Sequence, residues 1–228
     1  MTTKGISPAR PAPDRDCPLC PRLADFREAQ RTAEPTWFNA PVPSFGPADA
    51  RLLVVGLAPG LRGANRTGRP FTGDYAGEVL YPALTRHGFA AGVFAARVDD
   101  GFSLTGCRVT NAVRCVPPAN RPLPAEIATC RQFLAGELGG GVAPRVILAL
   151  GRIAHESVLR ALGARPARHP FAHGAVHRLP GGQILVSSFH TSRYNVNTGR
   201  LTTSMFEEVV ALAARLVAEI AAPITAPA

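Results

Sequence analysis

Three polar side chains that are suited to catalysis follow separate apolar segments of this sequence. Asp74 ends a glycine-rich stretch, GLAPGLRGANRTGRPFTGD, which begins at Gly56. Asn111 lies near the end of a second apolar segment, and His190 follows a third. A carboxylate can orient a water molecule, a carboxamide can pair with the edge of a heterocycle, and an imidazole can donate to a developing anion. If the segments are neighbouring strands, the three groups form one site. Otherwise they are unrelated loop residues.

Four of the five cysteines have the spacing of a metal site. A CPLC pair near the start of the chain provides two thiols, and two more lie beside the segment VPPANRPLPAE, which gives the set Cys17, Cys20, Cys115 and Cys130. Together they complete a tetrahedral set for zinc or for an iron–sulfur cluster. Alternatively, the last two are buried small apolar residues. Cys107 precedes a strand and is predicted to lie in the core.

The elements that position these residues follow from hydrophobic patterning. Four apolar segments are predicted as strands, at 52–56, 108–113, 146–150 and 184–188. Each is nearly continuous in apolar residues rather than alternating, which is typical of strands that are covered on both faces of a parallel sheet. The carboxyl ends of such strands form the ligand-binding edge.

Helical patterns alternate with these strands, at 77–87, 124–138 and 152–162. A last helix is predicted to begin at Ser204, with Glu207 completing a capping box. The alternation predicts an α/β/α sandwich. One domain is predicted over 17–222, between a poorly ordered tail at 1–16 and a short tail at 223–228.

The charge of the chain favours a polyanionic partner. The 228 residues contain 25 basic and 16 acidic residues, a formal net charge of +9. A GC-rich genome explains the choice of arginine over lysine, but not this imbalance. No apolar segment is long enough to span a membrane, and the first residues contain no secretory signal, so the expected location is the cytoplasm, at the nucleoid.

Three long motifs resemble the family 5, or type-b, uracil-DNA glycosylases. They are the glycine-rich stretch that ends at Asp74, TNAVRCVPPANRPLPAEIATC and HTSRYNVNTGRLT. The resemblance extends from Cys17 to the start of the last helix. The family 4 enzymes share the cysteine pattern but have an acidic residue where this chain has Leu57, which favours family 5.

The resemblance implies a three-layer fold with a central four-stranded parallel sheet. It also implies that the chain excises uracil, and other deaminated bases such as hypoxanthine or xanthine, from DNA. Such an enzyme rotates the nucleotide out of the helix before it cuts the glycosidic bond. The four cysteines would then hold a structural [4Fe–4S] cluster rather than zinc.

Within this resemblance, the candidate catalytic residues acquire specific roles. Phe71 is the flat surface for the flipped base, and Asn111 accepts from N3–H of uracil and donates to O4. His190 donates to O2 of the departing anion, and Asp74 falls on the carboxylate that orients water in the family. Further base contacts are expected from the backbone of Gly56, Ala58, Pro59 and Gly60.

Each role has a structural alternative. Phe71 can be a core residue, Asn111 can tie a loop, and His190 can be incidental. Asp74 can cap the helix that is predicted to begin near Gly77.

DNA contacts are expected from two loops. In the glycine-rich loop the candidates are Arg62, Asn65, Arg66 and Arg69, and the alternative is a solvated basic loop. The segment that follows His190 resembles the family loop that enters the minor groove, and its candidates are Ser192, Arg193, Tyr194 and Asn195. The family usually has proline after the histidine. Here Thr191 takes that place, so the turn is less rigid.

The expected function is therefore that of a monomeric DNA repair glycosylase acting on double-stranded and single-stranded DNA. Three alternatives remain open. The chain is a non-catalytic, metal-stapled nucleic-acid-binding module, a family-4-like enzyme strict for uracil, or an electron-transfer protein. Only a glycosylase needs Asp74, Asn111 and His190 together.

Overall fold

The computed structural model describes residues 12–139 and 143–221. Most of the predicted N-terminal tail and all of the predicted C-terminal tail lie outside these ranges. The central sheet has the strand order β4-β1-β5-β7-β6. Its strands are β1 (Leu52–Gly56), β4 (Cys107–Asn111), β5 (Val146–Leu150), β6 (Val176–Arg178) and β7 (Ile184–Ser188). A separate small hairpin pairs β2 (Ala90–Ala91) with β3 (Ser103–Leu104).

The four predicted strands are confirmed as parallel neighbours, with β1 between β4 and β5 and with β5 beside β7. The fifth strand, β6, is antiparallel to β7 at the edge of the sheet. It was not predicted, because its three residues, VHR, form no apolar segment. The sheet is therefore mixed rather than four-stranded and purely parallel.

Helices cover both faces of the sheet and confirm the three-layer architecture. They are α1 (Pro21–Ala33), α2 (Ala64–Thr67), α3 (Tyr75–Arg86), α4 (Pro124–Gly139), α5 (Arg152–Ala161), α6 (Arg193–Asn197) and α7 (Thr203–Ala221). Leu52 and Val54 of β1 pack with α3 and α7, whereas Leu53 and Val55 pack with α4 and α5. Alternate residues of one strand thus enter opposite cores, which is why the apolar segments are continuous.

Two features of the helices differ from the sequence prediction. α7 begins at Thr203, and Thr202 Oγ1 accepts the N–H of Met205 (3.1 Å), so the predicted cap at Ser204 is wrong. Ser204 instead donates to Glu208 within the helix (3.3 Å). α1 was missed because only Leu23 and Arg27 are buried along it, so it has no apolar stripe. Among residues 12–139 and 143–221, no helix combines the length and the hydrophobicity needed to cross a bilayer.

Candidate active site

Asn111 and the start of the glycine-rich loop are brought together by strand register. Gly56 ends β1 and pairs directly with Asn111 at the end of β4. The pairing continues into the loops, where the N–H of Ala112 donates to the carbonyl of Gly56 (2.9 Å). A side chain at Gly56 would collide with Asn111 Oδ1 and with the ring of Phe71. The carboxamide and the ring therefore lie against the same glycine.

Asn111 is largely buried, and the fold does not use its carboxamide. The residue is 3% exposed, yet its side chain forms no hydrogen bond with any residue that the structure describes. Buried amides are normally hydrogen-bonded. The alternative role of tying a loop therefore has no support here, and the donor and acceptor remain available to a ligand.

Phe71 has a strained backbone and a central position. Its φ is +52°, in the left-handed region that favours glycine. The ring is 6% exposed and packs in the core beneath α3, so Phe71 is a core residue as well as a neighbour of the site. It stacks on His190, with ring centroids 6.3 Å apart and planes inclined by 28°. The hydroxyl of Tyr81 donates to the carbonyl of Pro70 (2.5 Å) and holds this turn.

Asp74 caps α3 with one oxygen and faces the glycine-rich loop with the other. Its Oδ1 accepts the N–H of Gly77 (3.4 Å), which confirms the capping alternative. Its Oδ2 lies against Gly60 and Gly63, where a side chain at either position would crowd it. Burial raises the pKa of Asp74, opposed by the hydrogen bonds from the backbone of Gly77 and Ala76. A carboxylate of raised pKa is a stronger base than an exposed one.

His190 follows β7 and presents a neutral imidazole. Burial lowers the pKa of His190 to about 4, and its ring nitrogens form no hydrogen bond within the described residues. Its backbone is held from the following helix, because Asn195 Nδ2 donates to the carbonyl of His190 (2.8 Å). A neutral ring that has no partner in the fold can donate an N–H to a ligand.

Asp74 and His190 line one cleft of about 590 Å³. Its walls come from the glycine-rich loop at 57–60, from the start of α3, and from Ser192 and Arg193. Asn111 and Phe71 adjoin this cleft through Gly56 and His190. Asp74 and His190, more than a hundred positions apart in sequence, thus line one cleft, and Asn111 lies beside it, against Gly56 and Phe71.

Four residues of the cleft wall were not predicted as site residues: Leu57, Tyr75, Ala76 and Asn120. Asn120 lies in the wall with a φ of +55°, in a turn after β4. The signal in the sequence was available, because Asn after a Pro-Pro-Ala turn tolerates the left-handed region better than most residues.

The predicted DNA contacts divide into exposed and buried residues. Arg62, Arg66, Arg193 and Tyr194 are exposed, and Tyr194 reaches 71% exposure. Arg193 lies over the ring of Tyr75 at 5.3 Å, at the rim of the cleft. Ser192 and Asn195 are occupied in shaping α6, since Ser192 caps it through the N–H of Asn195 (3.4 Å).

Asn65 and Arg69 are buried, which corrects the expectation that they reach DNA. Asn65 is 1% exposed and donates to Asn39 Oδ1 (2.9 Å). Arg69 is 6% exposed and forms a bidentate ion pair with Asp100, with both N–O distances 2.8 Å. Its guanidinium lies among four rings, Phe45, Tyr81, Phe94 and Phe102, at 5.2 to 6.0 Å. Both side chains hold the loop rather than a phosphate.

The four cysteines of the predicted metal site meet at the end of the molecule that α1 covers. They line one small cavity with Leu23, Val113 and Phe133. The N–H of Arg114 donates to Cys130 Sγ (3.3 Å), and the guanidinium of Arg27 lies 3.9 Å from Cys115 Sγ. Such donors accompany bound thiolates. Cys107 is fully buried in the core, as predicted.

The spacing of the four thiols bears on which metal group they suit. Over the described ranges, no three His, Cys, Asp or Glu side chains are close enough to hold one metal ion. A four-iron cluster does not require that closeness, because each cysteine binds a different iron.

Comparisons with known proteins agree with the motifs. The profile of the Uracil DNA glycosylase superfamily matches residues 43–214. The chain is 49% identical over 206 residues to the "Type-5 uracil-DNA glycosylase" of Thermus thermophilus, covering 88% of this chain and 93% of that protein. It is 41% identical to the protein of the same name from Pyrobaculum aerophilum, covering 87% and 88%. A "Type-4 uracil-DNA glycosylase" of Pyrobaculum aerophilum is 33% identical, covering 77% and 78%.

Proposed function

The chain belongs to the uracil-DNA glycosylase superfamily, within its type-5 branch, and on this premise we propose how it acts on DNA. It hydrolyses the bond between a deaminated base and deoxyribose and leaves an abasic site. The target bond is hidden in the duplex, so the nucleotide rotates into the cleft that Asp74 and His190 line.

Asn111 selects the base. Its oxygen accepts from N3–H of uracil and its amino group donates to O4, whereas cytosine offers the reverse pattern. Hypoxanthine and xanthine carry the same N–H and C=O pair on their six-membered rings. A cleft of about 590 Å³ also has room for a purine. The same carboxamide therefore accepts all three deaminated bases, and the Phe71 ring beside it limits how deeply they enter.

His190 stabilises the departing base. Cleavage of the glycosidic bond leaves negative charge on the base and an oxocarbenium-like sugar. With its pKa lowered to about 4, the imidazole is neutral and donates an N–H to O2 of the anion. The backbone of Ala58, Pro59 and Gly60 surrounds the same space and excludes bulk water.

Asp74 orients the attacking water. Its Oδ1 is committed to the N–H of Gly77, which fixes the carboxylate in place. Its other oxygen faces Gly60 and Gly63 and is available to a water molecule. The two roles that the sequence left open, helix cap and catalytic carboxylate, are thus compatible because they use different oxygens.

The exposed cations and Tyr194 hold the DNA around this site. Arg62 and Arg66 contact phosphates, and α6 enters the minor groove with Tyr194 or Arg193 in the vacated stack. The four cysteines hold a [4Fe–4S] cluster that staples α1 to the loop after β4. That cluster would supply structural support, since it lies at the end of the molecule that α1 covers.

The observation that carries this function is the shared cleft of Asp74 and His190 beside the unpartnered carboxamide of Asn111. The test is an excision assay on duplexes that carry uracil, hypoxanthine, xanthine, thymine or cytosine opposite guanine, followed by alkali to cut abasic sites. We expect cleavage with uracil and the two purines and none with cytosine. Cleavage with uracil alone would favour a strict, family-4-like specificity, and tight binding without cleavage would show a non-catalytic module.

A further inference from the structure

A second groove borders α2, outside the cleft that holds the flipped base. Its volume is about 620 Å³, and we call it the outer groove. The side chains that characterise it are Arg15, Trp37, Phe38, Arg66, Arg97 and Val98. It combines aromatic rings with positive charge, and of these side chains only Arg66 has a role above, as a phosphate contact.

The aromatic wall of the outer groove is fixed in place. The N–H of Phe38 donates to the carbonyl of Arg66 (3.0 Å), and the next N–H donates to the carbonyl of Asn65 (3.1 Å). Gly68, with φ +79°, packs directly on the ring of Phe38, where a side chain would collide. The segment that carries Trp37 is therefore docked on α2 before any ligand arrives.

The positive charge of the outer groove is largely unneutralised. Arg15 and Arg66 are exposed and form no ion pair with residues in the described ranges. Arg97 pairs with Asp99, and both side chains remain 69% exposed. Val98 is 59% exposed beside them. The outer groove therefore combines two unpaired guanidinium groups with aromatic rings and an exposed aliphatic side chain. This combination suits a nucleic-acid strand better than an acidic protein.

The outer groove is continuous with the active-site loop. The guanidinium of Arg66 lies against Gly73, with Nη2 3.0 Å from the place a Cβ would occupy there. Gly73 directly precedes Asp74. Arg66 therefore stands between the outer groove and the loop that carries Asp74, on the path of a strand whose nucleotide is in the cleft.

We propose that the outer groove binds a single-stranded DNA segment flanking the flipped nucleotide. Arg15 and Arg66 contact its phosphates, and Trp37 stacks on an unpaired base. Paired bases in a duplex cannot offer that face, so the groove distinguishes single-stranded from double-stranded flanks. This proposal rests on the proposed function, because it takes the strand from the same cleft.

The chain contains one tryptophan, so its intrinsic fluorescence reports on this groove alone. The probe is a single-stranded deoxyadenosine octamer, whose bases offer Asn111 the reverse of the pattern it accepts, which makes binding independent of excision. We expect the octamer to quench the fluorescence of Trp37 in a saturable way. A blunt duplex of equal length should need a concentration about fivefold higher or more to give the same quenching. Polyglutamate of equal charge should not quench.

Two variants locate the binding. Arg15→Gln should weaken octamer binding several-fold and reduce the slope of log K against log salt by about one. Arg215→Gln changes an exposed arginine of α7 and makes the same change of charge elsewhere. It should leave the octamer affinity and the salt slope unchanged. Trp37→Leu, followed with a dye-labelled octamer, should weaken binding by about fivefold to a hundredfold, while its thermal unfolding confirms folding.

Three results would overturn the proposal. They are no quenching by the octamer, equal quenching by polyglutamate, and equal effects of Arg15→Gln and Arg215→Gln. Quenching by the octamer combined with no excision of uracil, hypoxanthine or xanthine would overturn the proposed function instead, because the octamer does not test the reaction.

Discussion

Asn111 and Phe71 meet across a residue that has no side chain. Gly56 pairs with Asn111 in the sheet, and the place of its missing Cβ lies 2.5 Å from Cζ of Phe71 and closer still to Asn111 Oδ1. The glycine therefore sets the spacing between the group that selects the base and the ring beside it. Since the φ of Gly56 is not in the left-handed region, its requirement is for space rather than for backbone freedom.

A single methyl group at this position should lower both stability and activity. Gly56→Ala overpacks the junction, and we expect a loss of about 1–3 kcal/mol in the free energy of unfolding. Excision of uracil in single turnover, measured where the variant is fully folded, should fall at least about tenfold because both contacts shift. Gly139→Ala is the matched control, since among the described residues nothing lies within 4 Å of that Cβ. Normal excision by Gly56→Ala would show that Asn111 and Phe71 do not define the base site.

Asn111 offers a test of the unpartnered carboxamide. Asn111→Leu keeps the size of the side chain and removes both hydrogen-bonding groups. Because the carboxamide forms no hydrogen bond with the described residues, stability in urea should be unchanged or higher. Excision of uracil should fall at least about tenfold, since one or two hydrogen bonds to the base are lost. A marked loss of stability would instead assign Asn111 to the fold.

Site residues that strands position could be predicted from the sequence. Asn111 and His190 follow apolar segments that form strands, and parallel strands place their carboxyl ends at one edge. Their convergence therefore follows from pattern and topology. The small edge strand and α1 escaped prediction, because neither carries an apolar repeat.

The roles of the loop residues were not predictable in the same way. Arg69 resembles Arg62 and Arg66 in sequence, but its partner, Asp100, is 31 residues away in a loop without periodicity. Burial of that pair is decided by tertiary packing among aromatic rings, which a local pattern does not contain. The cap of α7 failed for a simpler reason. Thr202 and Ser204 both suit a helix start, and the choice depends on how the chain after α6 is held, with Leu201 buried and its N–H donating to the carbonyl of Asn195 (3.0 Å).

Asp74 can be tested as a cap and as a catalyst separately. Asp74→Asn keeps an oxygen for the N–H of Gly77, whereas Asp74→Ala loses it. We expect only the alanine variant to lose stability, by about 1 kcal/mol in thermal or urea unfolding. Both should lower single-turnover excision at least about tenfold, because neither carries the carboxylate that orients water. A wild-type rate for Asp74→Asn would leave capping as the whole role of this residue.

The pH profile of excision should show no titration step at the usual pKa of a histidine. His190 has a pKa lowered by burial from 6.5 to about 4, so its imidazole stays neutral and active through neutral pH. Asp74 has a pKa raised by burial above 3.8, and its active form is the carboxylate. The single-turnover rate should therefore be flat near neutrality and fall in acid as Asp74 and His190 take up protons. A step centred near 6.5 that disappears in His190→Gln would contradict this assignment.

The cysteine site makes a prediction that needs no DNA. Protein purified without oxygen should be brown, with a broad absorption band in the visible blue and about four iron atoms per chain. Cys115→Ala should lose the colour and the iron, because it removes one ligand beside Arg27. Cys107→Ala, which removes a buried thiol from the core cluster under α3 and α7, should keep both and serves as the control. A colourless anaerobic preparation with one zinc per chain would show that the four thiols hold a single ion.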